Sequence, residues 1–205
     1  MIFLLPGMGA DHRMYAAPAW QELPEVRALD WPAHRGEATI AALADRVIAE
    51  AGITDGDTVI GSSLGGIVAC EIANQLRLHA LVLVGSAQSP AEISALLALL
   101  HPLAAVAPIE FIRAAAGKLP GELCGMFADS EASFIRTMCD AIFTWPGLDT
   151  TRIRPLRLHG RYDRVIPPPK DADLLLDAGH LVAMTHAAAC VAFLQSRGLG
   201  QPRST

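Results

Sequence analysis

The stretch Asp57-Thr58-Val59-Ile60-Gly61-Ser62-Ser63-Leu64-Gly65-Gly66 limits what this chain can fold into more than any other. An apolar run ends at a serine between two glycines, and a helix-forming run starts at once. Gly61-Ser62-Ser63-Leu64-Gly65 fits G-x-S-x-G, the pattern of a strand that turns sharply into a helix with the serine at the corner. The positions two before and two after the serine must be small, because neighbouring backbone packs against them. The helix that follows points its N-terminus at the serine, where negative charge develops in acyl transfer. Ser62 stands one residue too early for the pattern.

A chain of 205 residues, 52% hydrophobic and 18% charged, has enough apolar surface for one domain with a sizeable core. The formal net charge is -5 and no cluster of lysine or arginine stands out, which argues against nucleic acid or an anionic membrane as the main partner. Aromatic residues are only 5% of the chain, too few for base-stacking platforms. The first seven residues are apolar, have no basic start and are too short for a secretory signal. No stretch reaches the roughly 18 unbroken apolar residues of a membrane span. Cys70, Cys124, Cys139 and Cys190 are scattered without ligand spacing, so they read as reduced thiols of a cytoplasmic protein and not as a metal site.

Short apolar strands alternate with helical patterns along most of the chain. Ile2–Leu5 reads as a buried strand ending in Pro6-Gly7-Met8-Gly9, and residues 26–31 read as a second strand closed by Pro32. A loop or short helix lies between them, from His12 to Trp20. Thr39 is the N-cap of a helix over 40–51 that Gly52 ends. Strands are expected over 58–61, 78–85, 156–160 and 173–177, with helices over 64–76 and 181–196. Residues 89–154 break the alternation with several helical runs and five prolines. The result is a single domain over 1–205, a mostly parallel α/β sheet of about six strands with helices on both faces. Right-handed crossovers bring the strand C-termini to one edge, where such sheets bind ligands, and 89–154 is expected to cover that edge as a helical lid.

A nucleophilic serine needs a base, and the base needs an acid to orient it. Asp163, three residues past a strand end, is the best acid; Asp30 and Asp149 are rivals. His180, on the loop between the last strand and the last helix, is the best base. His12, just past the first glycine-rich loop, is its serious competitor and a candidate pocket residue, as is Trp145 in the insert. His186 falls inside the last helix and reads as structural, and His34, His79, His101 and His159 have no evident partner. The backbone amides of Met8 and Leu64 are the candidate oxyanion hole. Gly7-Met8-Gly9-Ala10-Asp11-His12 lacks the third glycine of a dinucleotide loop, and phosphate-loop, EF-hand and H-E-x-x-H patterns are absent.

Leu5-Pro6-Gly7-Met8-Gly9, Gly61 to Gly65, His159 to Pro167 and Gly179-His180 together resemble, in order, the oxyanion, elbow, acid and histidine loops of the α/β-hydrolase superfamily. Pro6 stands where many members carry histidine. Two further departures are fewer strands ahead of the first loop and a short, proline-broken connection over 161–172 where members commonly place a helix. The resemblance implies a compact serine hydrolase that cleaves a small carboxylic ester or thioester through an acyl-enzyme, with Ser63, His180 and Asp163 as triad and no metal or cofactor. It equally allows carbon–carbon bond hydrolysis or acyl transfer with the same residues. A slow ligand-binding or signalling protein on this fold is the reading of another class. Oligomeric state is left open.

Overall fold

In the computed structural model, which describes residues 1–93, 121, 125–126 and 129–199, both faces of the central strands are apolar. Such strands must be covered on both sides. Among the described residues there are six of them: β1 (Ile2–Leu5), β2 (Val26–Ala28), β3 (Thr58–Ser62), β4 (Ala80–Val84), β5 (Leu156–Gly160) and β6 (Leu174–Leu176). They form one sheet in the order β2-β1-β3-β4-β5-β6, and every pairing is parallel.

Alternate residues of each strand enter opposite layers, as the period of two requires. Phe3, Leu5, Val59, Leu81 and Leu83 pack against helices α1 (Ile40–Ala51), α2 (Leu64–Gln75) and α3 (Ala132–Thr144). Ile2, Leu4, Ile60, Val82, Val84 and Leu158 pack on the other side, against the 3-10 turns over His12–Tyr15 and Pro18–Glu22 and helices α4 (Val182–Thr185) and α5 (Ala187–Ser196). In that layer Tyr15 and Trp20 meet edge-on at 5.2 Å, and their polar tips bond the Leu5 and Ala183 carbonyls.

The expected element limits hold for β1, α1 and β5. The Thr39 hydroxyl accepts from the Ala42 amide, and Gly52 closes α1 with φ of 72°. The second strand stops three residues early, at Ala28 opposite Leu4: the Leu29 amide still donates to the Leu4 carbonyl, and β1, its one partner, ends at Leu5. The last helix is broken: His186 leaves the helical region at φ -132°, so it separates α4 from α5 instead of lying inside one helix. The Thr185 hydroxyl bonds back to the Leu181 carbonyl just before the break, a contact that bends helices. Of the expected lid, α3 and the short turn Pro90–Glu92 are described, and α3 packs Phe134, Ile135, Met138 and Ala141 into the core. Residues 94–120, 122–124 and 127–128, with Leu96, Leu97, Leu99, Leu100, Phe111, Ile112 and Phe127 among them, lie outside the described residues. No described helix is long and apolar enough to cross a membrane.

One buried charge ties the insert to the sheet. The Arg157 side chain on β5 is 2% exposed and reaches Glu92 at 2.9 and 2.6 Å and Asp171 at 2.9 Å. It joins the start of the insert to the connection between β5 and β6. Removing one partner of a buried pair strands the other charge. Glu92→Ala, which leaves the buried Arg157 guanidinium without its main partner, is expected to lower stability by about 3 kcal/mol in urea unfolding, and replacing Arg157 as well as Glu92 by apolar residues to recover part of that loss. A Glu92→Ala protein as stable as the wild type would refute this role.

Candidate active site

Strand β3 delivers Ser63 to the C-terminal edge of the sheet on a tight corner. Ser63 has φ of 53° and ψ of -120°, a strained conformation for a residue with a side chain. Steric room allows it. A Cβ on Gly61 would stand 2.2 Å from the Gly65 carbonyl oxygen, and one on Gly65 would stand 2.4 Å from the Leu5 and Pro6 oxygens. Hydrogen bonds hold the corner: the Ser63 amide donates to the Val84 carbonyl at 3.2 Å, and the Ser63 carbonyl accepts from the Ser86 hydroxyl at 2.6 Å and the Gly66 amide at 3.0 Å.

Ser63, His180 and Asp163 are brought together. His180 Nε2 lies 3.0 Å from Ser63 Oγ, and His180 Nδ1 lies 2.8 Å from Asp163 Oδ2. The loop carrying His180 is pressed onto the end of β5, where a Cβ on Gly160 would stand 2.1 Å from the Gly179 oxygen. Asp163 is fully buried as a side chain, accepts three hydrogen bonds and has a fourth N–H group close by. Its Oδ1 takes the Val165 and Ile166 amides at 2.9 and 3.0 Å, and its Oδ2 takes His180 and lies 3.2 Å from His159 Nε2. Burial acts to raise the proton affinity of this carboxyl, but the hydrogen bonds from His159 and His180 outweigh it and hold the group well below the usual carboxylate range. An ionised Asp163 can only accept, so His180 Nδ1 carries a proton, and in the neutral imidazole Nε2 is the acceptor that faces the serine hydroxyl.

The loop after β1 lies against the serine. A Cβ on Gly7 would be 3.5 Å from Ser63 Cβ. The Gly7 amide donates to Met14 Sδ at 3.3 Å, and its carbonyl accepts from Trp31 Nε1 at 3.0 Å and the Ala10 amide at 3.2 Å. The next amide, that of Met8, finds no acceptor among the described residues, and neither does the Leu64 amide at the start of α2. Cys139 Sγ on α3 contacts Met8 Sδ at 3.7 Å, so the insert touches this loop. Beside it a cleft of about 160 Å³ opens between Trp31 and Phe134, with Asp11, Asp30, Asp129 and Glu131 on its walls.

The remaining candidates stand elsewhere. His12 is half exposed and pairs through Nδ1 with Asp30 Oδ1 at 2.7 Å. Trp145 is buried at the end of α3 and donates to Glu71 Oε2 at 2.9 Å. The rival acid Asp149 caps its own turn through Thr151. Ligand atoms of Asp11, His12 and Asp30 fall within 4.8 Å of one another, but Asp11 is bound by Arg13, and His12 and Asp30 by each other. Burial pushes the Cys139 thiol up to about 11 and the Cys190 thiol up to about 12, which keeps both protonated and unreactive.

Two side chains without a role in the sequence reading reach the site: Ser86, through the Ser63 carbonyl, and His159, through Asp163. The available signal for His159 was its spacing, four residues before the acid at the same strand end.

A carboxyl whose pKa is lower in the folded than in the unfolded chain contributes stability that is complete above the unfolded value and is lost as the pH falls through the folded one. The stability difference between wild type and Asp163→Asn is therefore expected to be largest near neutral pH and to shrink as the pH falls below about 4. Denaturant unfolding at both pH values checks it; a difference independent of pH would contradict an ionised, paired Asp163.

Comparison with known proteins agrees with this architecture. Similar solved structures include an esterase from Thermogutta terrifontis (TM-score 0.78, 19% identity, 98% of this chain and 90% of that one covered). A hydrolase from Oleispira antarctica gives a TM-score of 0.75 at 18% identity, with 95% and 90% covered. The 2-hydroxy-6-oxo-6-phenylhexa-2,4-dienoate hydrolase of a Rhodococcus strain gives 0.61 at 21% identity, with 96% and 89% covered. No curated protein sequence matches. The sequence model described as the alpha/beta hydrolase family matches residues 2–193, and with nearly the whole chain matched, this protein belongs to that family.

Proposed function

We propose that this hydrolase cleaves small carboxylic esters or thioesters through an acyl-enzyme on Ser63. The hydrogen-bonded line from Ser63 Oγ through His180 to Asp163 Oδ2, at 3.0 and 2.8 Å, carries the reading. His180 Nε2 takes the hydroxyl proton as Ser63 Oγ attacks the carbonyl carbon. Asp163 keeps the imidazole in the required tautomer and stabilises the imidazolium. The Met8 and Leu64 amides donate to the oxyanion, helped by the dipole of α2. The imidazolium returns its proton to the leaving alcohol or thiol. Water, deprotonated by His180, then cleaves the acyl-enzyme and releases the acid. The scheme draws on no metal or organic cofactor. The free thiols of Cys70, Cys139 and Cys190 support a cytoplasmic setting.

A second reading is favoured by one observation. The dienoate hydrolase of similar fold acts on a molecule whose name contains no ester, so hydrolysis there must break a carbon–carbon bond. The same serine, histidine and acid residues could serve that reaction in this chain.

The test is multiple turnover on p-nitrophenyl acetate, p-nitrophenyl butyrate and short acyl thioesters, with Ser63→Ala as control. Turnover is expected to fall by at least about 10⁴-fold in Ser63→Ala, with thermal unfolding little changed. Undiminished turnover in Ser63→Ala would overturn the assignment. A single slow burst without turnover in the wild type would favour the binding-protein reading instead.

A further inference from the structure

We infer that His159 is a positioning residue for the acid, its Nε2–H shared between the Ile166 carbonyl and Asp163 Oδ2 so as to fix the carboxylate and limit its pull on His180. The inference rests on the triad reading of Ser63, His180 and Asp163.

His159 is the penultimate residue of β5 and is 1% exposed. Its Nε2 lies 2.7 Å from the Ile166 carbonyl oxygen and 3.2 Å from Asp163 Oδ2. A carbonyl oxygen only accepts, so Nε2 must hold the proton and His159 is the Nε2–H tautomer. Ile166 is engaged at both ends of its backbone: its amide donates to Asp163 Oδ1 at 3.0 Å, and its carbonyl accepts from His159. Imidazole, carboxylate and peptide thus close a ring that braces the acid loop from the strand it leaves. An apolar residue here would leave the Ile166 carbonyl and one carboxylate lone pair buried without a donor.

The electrostatic consequence has a definite sign. Two imidazoles donate to the same oxygen, Oδ2. Each stabilises the carboxylate charge, and each lessens what that oxygen offers the other. Without the His159 donor, Asp163 becomes a more basic partner, and the protonated form of His180 is favoured. The base would then need a higher pH to become free.

The other charged neighbours are accounted for. Elements β4, β6 and α4, which pack beside β5, carry no titratable residue within their bounds. Arg157, on the same face of β5, is held by Glu92 and Asp171. In the acid loop Arg161 pairs with Asp177, and Arg164 is exposed. On the His180 side, His186 Nδ1 bonds the Thr185 hydroxyl, away from Asp163. His180 itself is faced by Asp163 and Ser63.

The experiment measures the rate of Ser63 labelling by a fluorophosphonate probe against pH in wild type, His159→Phe and His159→Gln. Phe keeps an aromatic ring, slightly larger than imidazole, and donates nothing; Gln keeps an N–H of similar reach. The acid limb is expected to move up by about one pH unit in His159→Phe, so that labelling below the limb slows about tenfold, and to return toward wild type in His159→Gln. A purely structural role would lower the rate equally at all pH values. That result, or an unmoved limb in His159→Phe, overturns the inference while the triad reading stands. A folded wild type that leaves the probe unreacted overturns the triad reading and this role with it. Nitrogen-15 NMR of the histidine rings tests the same bond without relying on a variant or on Ser63 reactivity. His159 is expected to be the Nε2–H tautomer, and an Nδ1–H tautomer would contradict the inference.

Discussion

Backbone contact at the ends of β1, β3 and β5 decides where Ser63 and His180 stand. Gly65 lies so close to the Leu5 and Pro6 carbonyls that no side chain fits between β1 and α2. Gly61 lies equally close to Gly65. This closeness puts the loop after β1 beside Ser63. It also forces Ser63 into a left-handed conformation, a strain of about 1–3 kcal/mol. The bonds from Ser63 to Val84, Ser86 and Gly66 offset that strain. The serine is held by neighbours from β4 and α2, not by its own preference.

A second constraint acts one strand over. An ionised carboxylate with no exposed side-chain surface survives only when its lone pairs are filled. Asp163 has four donors, two from the backbone of its own loop and two from imidazoles. The loop is short and proline-rich, without a helix, and two of its backbone amides turn in to solvate the acid. Arg157, two residues before His159 on the same face of β5, meets two carboxylates through its terminal nitrogens, while its buried Nε finds no acceptor among the described residues. Alternate residues of one strand therefore carry a structural charge and a group that addresses the site.

Local signals made much of this legible in the sequence. The elbow, the Thr39 cap and the glycine ending α1 are encoded within a few residues, and their positions hold. Apolar runs bounded by turns identified the strands, and their chain order led to the parallel sheet. What could not be read depends on contacts distant in sequence. Ser86 bonds a residue 23 positions away, and nothing near it announces that partner. His159 looked like an ordinary strand residue because its proton goes to a loop that folds back onto it. The break at His186 falls next to a Thr185 hydroxyl that bonds back to the Leu181 carbonyl, and the apolar pattern runs on through it without a signal. Trp145 stood out as a large apolar residue of the insert, and its buried bond to Glu71 depends on how α3 packs against α2.

The proposed chemistry depends on Ser63 being an activated nucleophile. Mass-spectrometric mapping of the folded protein after reaction with a fluorophosphonate examines that most directly. One adduct, on the peptide bearing Ser63 and assigned to Ser63 by fragmentation, is the predicted result. An adduct on Ser62, or a folded protein that remains unmodified, would contradict it.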